Sequence, residues 1–262
     1  MIPYFEFPAL NLPFGQRVDI FGVLSAAGVM VGAWLAARQA RQYGPGNDQP
    51  LREMVPWAVI FGLYGGHFMH IFAYHPELLT MADPFLVLRF WEGLSSMGGV
   101  LGALVGIFIF FRRIKTPIGP YLDALALGTA PGWMVARIGC FFVHDHPGVH
   151  SDFFLAVNFP MRTYGGPRHD LGLYDALVLG VLSLVLYALK TRRPAQGRLM
   201  GVLAVGYTVP RFFLDFLRAS DLSFVDRRYA GLTPAQYVVF GLFAAGVWLL
   251  TRPAPEMPKE VG

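Results

Sequence analysis

The sequence predicts an all-α polytopic membrane protein that crosses the bilayer with about seven helices. Hydrophobic residues make up 55% of the 262 residues, charged residues only 15%, and the mean hydropathy is +0.47. A soluble domain needs more polar surface than such a composition supplies. Apolar runs of roughly 17 to 25 residues, each able to cross a hydrocarbon core of about 30 Å, recur along the chain. The runs are approximately 20–37, 55–73, 95–111, 122–142, 171–189, 199–217 and 232–250.

Basic residues are unevenly distributed between these runs. Twelve Lys and Arg residues follow the first, third, fifth and seventh runs, whereas seven lie in the other connections. Cytoplasmic loops carry an excess of Lys and Arg, so we expect the N-terminus outside and the C-terminus in the cytoplasm. The net charge of +4 and the pI near 9.3 need no nucleic-acid partner, because anionic lipid headgroups attract the same segments.

The chain 1–262 is expected to form a single membrane domain that keeps its first helix. Residues 1–7 lack the positively charged region of a cleaved signal peptide, so we expect the first run to be retained. Cys140 is the only cysteine, which excludes an internal disulfide, and one cysteine by itself has no metal-site spacing.

The second and third runs carry two different signals. His67 and His70 lie three residues apart, so they share one face of the second helix and indicate a polar cavity. The third run opens with small residues spaced for close helix packing, which is favoured over a direct catalytic role. Its beginning lies near the outer surface and could still border a site. The small residues are Gly98, Gly99, Gly102 and Gly106.

The fourth run contains Arg137 in an otherwise apolar stretch and is followed by His144, Asp145 and His146. An arginine at membrane depth costs roughly 2.5 to 3.5 kcal/mol, so one that persists there usually faces a polar cavity or an anion. The alternative is a side chain that extends to the nearby interface. We interpret this stretch as the active region.

Polar residues also mark the segment after Arg137 and the sixth run. The segment 143–170 is turn-rich and is the longest part expected outside the membrane, so we predict an extracytoplasmic loop there. It must lie against the helices if its histidines take part in chemistry. Tyr207, Arg211, Asp215 and Arg218 follow one another at steps of four, four and three, which aligns them on one helix face. An Arg–Asp pair in that position could also be purely structural.

A further set of motifs occurs in a fixed order over most of the chain. The motifs are Met81-Ala-Asp-Pro84, Trp91-Glu-Gly93, Gly98-Gly99, Arg137-Ile-Gly139, Gly148, His169, Leu173-Tyr-Asp175, Gly206-Tyr207, Arg211, Asp215, Arg218, Asp221 and Gly231-Leu-Thr-Pro-Ala-Gln236. In order and spacing they resemble the prolipoprotein diacylglyceryl transferases of bacterial inner membranes. The resemblance implies a multi-pass enzyme of the plasma membrane.

The resemblance also implies an activity and roles for residues. Enzymes of that family move the diacylglyceryl group of phosphatidylglycerol onto the lipobox cysteine thiol of a preprolipoprotein and release glycerol 1-phosphate. Arg137 and Arg211 would stabilise the phosphate leaving group, since preorganised guanidiniums stabilise developing negative charge. Tyr207 would donate a hydrogen bond to the same anion. The expected substrate-binding residues are Gly98, Gly99, Gly148, Asp215, Arg218 and His169.

Several positions depart from the family pattern. The histidine of the family's His-Gly-Gly motif is Met97, the asparagine after Arg-Ile-Gly is Cys140, and Asn-Gly-Glu reads Val143-His144-Asp145. A free thiol with a pKa near 8.5 is only a few per cent ionised at neutral pH, so another group must activate the acceptor. These changes suggest a paralogue with altered chemistry. The other replacements are Phe21 for a tyrosine, and His67 and His70 for an arginine and a tyrosine.

Three functions remain open from the sequence. The first is a diacylglyceryl transferase without a cofactor, in which His144 or His146, next to Asp145, replaces the lost base. The second is a phospholipid-processing enzyme that uses a metal such as zinc. The N and O ligands of the metal would come from a set that includes several histidines, although their spacing matches no recognised metal-binding motif. The third is a lipid-binding or scaffold protein without catalysis. The candidate metal ligands are His67, His70, His144 and His146.

Overall fold

The computed structural model describes residues 1–11, 17–79, 84–89, 93–192, 194–222 and 226–253. Eight α-helices and six short strands are found in these residues. The helices are α1 (Ile20–Tyr43), α2 (Gln49–Glu53), α3 (Val55–Met69), α4 (Ser96–Arg113), α5 (Leu122–Val143), α6 (Leu171–Leu189), α7 (Arg198–Leu214) and α8 (Pro234–Thr251). The strands are β1 (Ile2–Pro3), β2 (Leu10–Asn11), β3 (Arg17–Val18), β4 (Pro147–His150), β5 (Val157–Phe159) and β6 (Gly166–Asp170).

Seven helical segments are long and apolar enough to cross a membrane, which confirms the predicted number of spans. The second span is composite: α2 leads into α3, and a single π-helical turn at His70–Tyr74 completes it. In the other spans the helices begin and end within a few residues of the predicted runs. The centre of the bundle is formed by α5, α6 and α7, which all contact one another.

Glycines allow α1 and α5 to pack with their backbones in contact. A Cβ atom added at Gly132 would lie 2.6 Å from the carbonyl oxygen of Gly28 and 2.8 Å from the Cα of Gly32. The reverse contact also holds, because a Cβ at Gly28 would collide with the carbonyl oxygen of Gly132. Pairs of glycines four residues apart on both helices therefore meet each other, and such small residues let membrane helices approach closely.

The glycine stripe of α4 packs against α3 in the same way. A Cβ at Gly98 would lie 2.5 Å from the carbonyl oxygen of Gly65, and one at Gly106 would lie 2.6 Å from that of Trp57. Gly99 has more space, with the carbonyl oxygen of Gly62 at 3.7 Å. The glycine stripe therefore allows close helix packing, which the sequence favoured over a direct catalytic role.

The segment predicted as a turn-rich loop at 143–170 contains three strands of a small sheet. The strand order is β1-β5-β6-β4, in which β1 lies parallel to β5 and the other pairs are antiparallel. The sheet is a small addition to a mainly helical fold, which agrees with the predicted class of membrane protein. The strands are only three to five residues long, and β4 and β6 include Pro147, Gly148, Gly166 and Pro167, which are unusual within strands. The strand β1 is supplied by the distant N-terminus.

Hydrogen bonds between the connecting segments show which of these segments lie at the same end of the bundle. At one end, Asp123 accepts hydrogen bonds from the backbone N–H groups of Gly197 and Leu199 at 2.8 and 2.9 Å. At the other end, the hydroxyl of Tyr229 donates to the carbonyl of Ala73 at 3.0 Å, and the sheet lies beside residues 215–219. Arg198 and Arg252, two of the basic residues that we expect in the cytoplasm, contact each other at the first of these ends.

The α1–α5 contact makes a testable prediction about stability. Gly132→Ala places a methyl group against Gly28 and Gly32, so we expect the folded state to lose about 1–3 kcal/mol from overpacking. The measurement is the thermal unfolding midpoint of the detergent-solubilised protein, followed by circular dichroism. Gly241→Ala on α8 is the matched control, since no atom lies within 4 Å of an added Cβ there. Equal midpoints for the two variants would contradict close α1–α5 packing.

Candidate active site

The centre of the bundle contains two arginines that share one carboxylate. Arg137 of α5 and Arg211 of α7 have side chains that are 1% and 2% exposed, and Asp175 of α6 lies between them. The Nε atoms of Arg137 and Arg211 are 3.3 and 3.9 Å from Oδ2 of Asp175. Arg137 therefore does not extend to the interface. The two guanidiniums share this one carboxylate, and Arg211 has a second carboxylate, Asp215, at 3.0 Å.

Sequence reasoning missed the role of Asp175. The sequence indicated an Arg–Asp pair only within the sixth run, whereas Asp175 contacts both arginines and Asp215 contacts only Arg211 of the two. The signal was present, because Leu173-Tyr-Asp175 belongs to the ordered motif series and an aspartate in an apolar run needs a cationic partner. What the sequence does not show is which helix supplies that partner.

Asp215 connects Arg211 to the segments that follow α7. Its Oδ1 is 3.0 Å from Nη2 of Arg211 and 3.0 Å from Nε of Arg218. The hydroxyl of Thr233 donates a hydrogen bond to Oδ2. Thr233 also caps α8 through a reciprocal capping box with Gln236. Asp215 therefore fixes the orientation of Arg211 and links it to the beginning of α8.

Polar and aromatic groups surround the paired arginines. Ser96 accepts a hydrogen bond from Nη2 of Arg137 at 3.1 Å, and the ring of Trp133 lies 5.9 Å from the centre of that guanidinium. Tyr207 packs on Trp133 with its hydroxyl near Arg137 but without a well-aligned hydrogen bond in the described structure. Nη1 of Arg211 is buried and has no hydrogen-bond partner among the described residues. A buried donor of this kind is free to bind an anion.

Met97 occupies the family's histidine position in the buried core. It is 1% exposed, lies in the same buried cluster as Ala130 and Tyr207, and directly follows Ser96. Position 97 is therefore close to the paired arginines, as the resemblance implies. The thioether of methionine cannot take a proton from a thiol, so the structure places no base at this position.

His144 does not share the surroundings of the arginines. Its Nδ1 is 2.7 Å from Oδ2 of Asp170, which also caps α6, and its ring packs among Tyr4, Phe5 and Phe159. The residue has φ 51° and ψ 39°, in the left-handed region. Such a backbone reverses the chain direction at the end of α5. His144 is thus placed to hold the turn.

Because the chain reverses at His144, Asp145 and His146 lie beside the C-terminal end of α5. Ligand atoms of Cys140, Asp145 and His146 all lie within 4.8 Å of one another. The backbone carbonyl of Asp145 accepts a hydrogen bond from Nδ1 of His146 at 2.8 Å. Nη1 of Arg137 lies 3.8 Å from Sγ of Cys140, so the cluster adjoins the paired arginines. Of the sequence candidates, Asp145 and His146 therefore reach the site and His144 does not.

The protein environment shifts the pKa values of both residues after the turn. Asp145 lies in a recess, and although 36% of its side chain is accessible, loss of bulk water raises its pKa to about 6 against the opposing effect of Arg137. Burial lowers the pKa of His146 well below its ordinary value, and the charges of Arg218 and Arg137 add to this effect. His146 is therefore neutral at physiological pH.

His67 and His70 lie away from this cluster. His67 is fully buried, and its two ring nitrogens lie 2.9 and 3.1 Å from the carbonyl oxygens of Leu86 and Gly93. The ring of His70 packs against that of His75. The structure does not bring the four histidines of the predicted metal set together, because backbone carbonyls hold His67 and Asp170 holds His144. The polar cavity expected at His67 and His70 is filled by the chain after α3.

The extramembrane sheet is held in place by Arg168, which the sequence did not single out. Arg168 is buried, and its Nη1 donates to the carbonyl of Gly148 at 3.2 Å. Its Nη1 and Nη2 also donate to the two carboxylate oxygens of Asp221, with the Nη1 contact at 2.9 Å. These hydrogen bonds lower the pKa of Asp221 to about 2. His169 accepts or donates a hydrogen bond with the hydroxyl of Tyr174 at 2.7 Å.

Gly148 and Arg218 meet where the sheet contacts the helix ends. The two residues form an isolated antiparallel bridge, and a Cβ at Gly148 would lie 2.6 Å from the carbonyl oxygen of Leu217. A glycine at 148 thus permits the sheet to approach the end of α7. The motifs at 81–83 and 91–92 lie outside the described residues.

Comparison with known proteins identifies the framework that carries this site. Residues 9–252 match the family model described as prolipoprotein diacylglyceryl transferase. A protein of Nitratidesulfovibrio vulgaris named phosphatidylglycerol–prolipoprotein diacylglyceryl transferase is 31% identical over 237 residues, which cover 88% of each chain. Proteins of the same name from Allorhizobium ampelinum and Azotobacter vinelandii are 29% and 28% identical, covering 96% and 95% of this chain and 92% and 96% of their own. The chain therefore belongs to the prolipoprotein diacylglyceryl transferase family.

Proposed function

We propose that this protein transfers the diacylglyceryl group of phosphatidylglycerol to the lipobox cysteine thiol of a preprolipoprotein, releasing glycerol 1-phosphate. The observation that carries the proposal is the Arg137–Asp175–Arg211 unit at the centre of the bundle. It holds two guanidiniums on one carboxylate, and Nη1 of Arg211 has no hydrogen-bond partner among the described residues. The names of the relatives support the same substrates, and nothing in the comparisons favours a non-catalytic lipid-binding protein.

The arginines act on the leaving group in this reaction. The thiol sulfur attacks the glyceryl carbon that is bonded to the phosphate oxygen, and the carbon–oxygen bond breaks. The electron pair of that bond leaves with glycerol 1-phosphate, so negative charge develops on the phosphate. Donors that are already oriented by Asp175 and Asp215 stabilise this charge without reorganisation. Tyr207 adds a hydroxyl donor beside Arg137.

The acceptor thiol is activated by a group at the C-terminal end of α5 and in the turn that follows it, because Met97 cannot act as a base. Cys140, Asp145 and His146 lie together and adjoin Arg137 through the 3.8 Å contact with Cys140. To raise the fraction of thiolate, a base, a positive charge or a metal must lie near the sulfur. This group offers such chemistry beside Arg137.

The sheet and the site belong on the extracytoplasmic side of the bacterial inner membrane in this proposal. The basic connections at the opposite end of the bundle support it, because Lys and Arg are enriched in cytoplasmic loops. The N-terminus would then be outside, and β1 would reach the sheet without crossing the membrane. A secreted preprolipoprotein would meet the enzyme on the same side.

The paired arginines generate the first functional prediction. We expect Arg137→Ala and Arg211→Ala to lower kcat for diacylglyceryl transfer by about 10² to 10³, the usual cost of removing one preorganised donor. Arg137→Lys should also be poor, because an ammonium cannot reproduce the geometry of the guanidinium. The assay measures transfer from phosphatidylglycerol vesicles to a lipobox peptide. Arg112→Ala, at an exposed position at the end of α4, is the control and should keep full activity.

A structural defect must be separated from this catalytic one. Each variant is therefore compared with the wild type by gel filtration and thermal unfolding in detergent. A folded Arg137→Ala protein with wild-type transfer would refute the proposed function of the arginines.

The orientation is tested by cysteine labelling in intact cells. Asp152→Cys lies in the sheet region and Arg192→Cys at the opposite end, and both positions are exposed. We expect a membrane-impermeant maleimide to label Asp152→Cys and to leave Arg192→Cys unlabelled until the membrane is opened. Cys140 is buried and gives the background. The reverse labelling pattern would overturn the proposed orientation.

His144 and His146 should respond differently to mutation. His146→Ala removes an activating group, so we expect transfer to fall by about 10² to 10⁴ with little change in stability. His144→Gly should keep much of the activity, because glycine accepts the left-handed turn. His144→Val should lose both activity and stability, since that backbone costs roughly 1–2 kcal/mol for other L-residues and is a genuine outlier for β-branched ones. Equal, complete inactivation of both His144 variants, with the fold intact, would instead identify His144 as a base.

A further inference from the structure

Three side chains of different chemistry converge at the end of α5. Cys140, Asp145 and His146 are the one group of three or more His, Cys, Asp or Glu residues in the described ranges whose ligand atoms all lie within 4.8 Å. Cys140 is buried, Asp145 is exposed and His146 is half-buried. A thiolate, a carboxylate and an imidazole are the three ligand types that proteins use to bind zinc.

We propose that Cys140, Asp145 and His146 bind a zinc ion whose fourth position is open to the thiol of the acceptor cysteine. The inference rests on the proposed transferase function and names the means by which that thiol is activated. Three protein ligands with one open position are typical of catalytic zinc sites, whereas structural sites use four. The ligand set differs from the four histidines expected from the sequence and retains only His146.

The hydrogen bond of His146 suits a metal ligand. Its Nδ1–H donates to the backbone carbonyl of Asp145 at 2.8 Å, which leaves the lone pair of Nε2 available. Metal-binding histidines almost always donate their other ring N–H to a carbonyl or carboxylate, and this contact orients the ring. The left-handed backbone of His144 brings Asp145 and His146 back to Cys140, and Asp170 holds the side chain of His144 in place.

The charges around the cluster also balance when zinc is bound. The thiolate of Cys140 and the carboxylate of Asp145 offset the two positive charges of the ion. Arg137 remains paired with Asp175 at 3.3 Å, and its Nη1 lies 3.8 Å from Sγ of Cys140. Partly buried charges are tolerated when they are paired in this way. Soft and borderline ligands of this kind select zinc over Mg²⁺ or Ca²⁺.

Zinc replaces the function of the histidine that is absent at position 97. A thiol that coordinates zinc is deprotonated, so its proton passes to solvent and the bound sulfur is a thiolate. That sulfur forms the bond to the glyceryl carbon while the carbon–oxygen bond to phosphate breaks, and glycerol 1-phosphate leaves with the electron pair. Arg137, next to Cys140, holds the departing phosphate. The mechanism then differs from that of the family in one respect: zinc held by Cys140, Asp145 and His146 takes the place of the base that is absent at position 97.

A metal-free alternative uses His146 as a base that Asp145 orients. Both mechanisms require His146, but only the zinc mechanism gives Cys140 a role. Cys140→Ser is therefore the decisive variant, because it removes the thiolate and changes the side-chain volume very little. Asp145→Asn and His146→Gln provide two further near-isosteric variants. His150→Gln removes a histidine on the exposed part of the sheet and serves as the matched control.

The experiment uses the full-length protein in detergent after removal of metal with a chelator. We expect the wild type and His150→Gln to bind one zinc ion per chain by elemental analysis, and the three cluster variants to bind none. With Co²⁺ as probe, the wild type should show a thiolate-to-cobalt charge-transfer band that Cys140→Ser lacks. Chelated wild type should lose about 10² to 10⁴ in transfer rate, the range of thiol activation by a positioned group, and added zinc should restore it.

The outcomes separate the zinc site from the transferase function. Absence of stoichiometric metal binding by the wild type, or full transfer by the chelated enzyme, overturns the zinc site and leaves the transferase intact. Wild-type transfer by a folded Cys140→Ser protein has the same meaning. Zinc binding that depends on all three residues, with no transfer to any lipobox peptide, supports the site and refutes the transferase function.

Discussion

The pairing of buried charges at Asp175 is the constraint on which the arrangement of the bundle depends. A guanidinium in an apolar interior is tolerated only when a counter-ion lies next to it, and Arg137 and Arg211 both depend on this carboxylate. Because the three residues come from α5, α6 and α7, their pairing fixes the relative rotation of the three central helices. Close packing of α1 on α5 then places the remaining spans around this centre.

The same constraint explains why the site is suited to an anion. Arg137 and Arg211 share Asp175, and Arg211 also contacts Asp215. Arg218 contacts both Asp215 and Asp226, so the charges of the network balance, whereas Nη1 of Arg211 has no hydrogen-bond partner among the described residues. A phosphate that enters the site would accept a hydrogen bond from this donor. The interactions that hold the fold together are therefore also the ones that would stabilise a leaving phosphate, and stability and function draw on the same side chains.

The extramembrane sheet contributes to the site by controlling one turn of the backbone. Arg168 and Asp221 hold the sheet against the end of α7, and Asp170 fixes His144 in a left-handed conformation. The following two residues are directed towards Cys140 as a result. Residues in sparsely populated backbone conformations persist where surrounding contacts over-determine them, and they often occur at functional sites. The aromatic rings around His144 provide such contacts.

The sequence by itself determined the membrane class, the seven spans, the family and the two arginines of the site. These features are local: hydropathy over twenty residues identifies a span, and an arginine within a span is visible at once. The role of the α4 glycines in packing was predicted for the same reason. The small sheet was not, because its strands are short, two of them contain both glycine and proline, and one partner strand comes from the N-terminus.

Only the tertiary structure decided which polar residues act together. It assigned Asp175 to both arginines, separated His144 from His146 although they are two residues apart, and placed His67 against backbone carbonyls. The physical reason is that charge pairing and ligand geometry operate over a few ångströms in space. Partners on different helices, or on opposite sides of a left-handed turn, leave no spacing in the sequence by which they could be recognised.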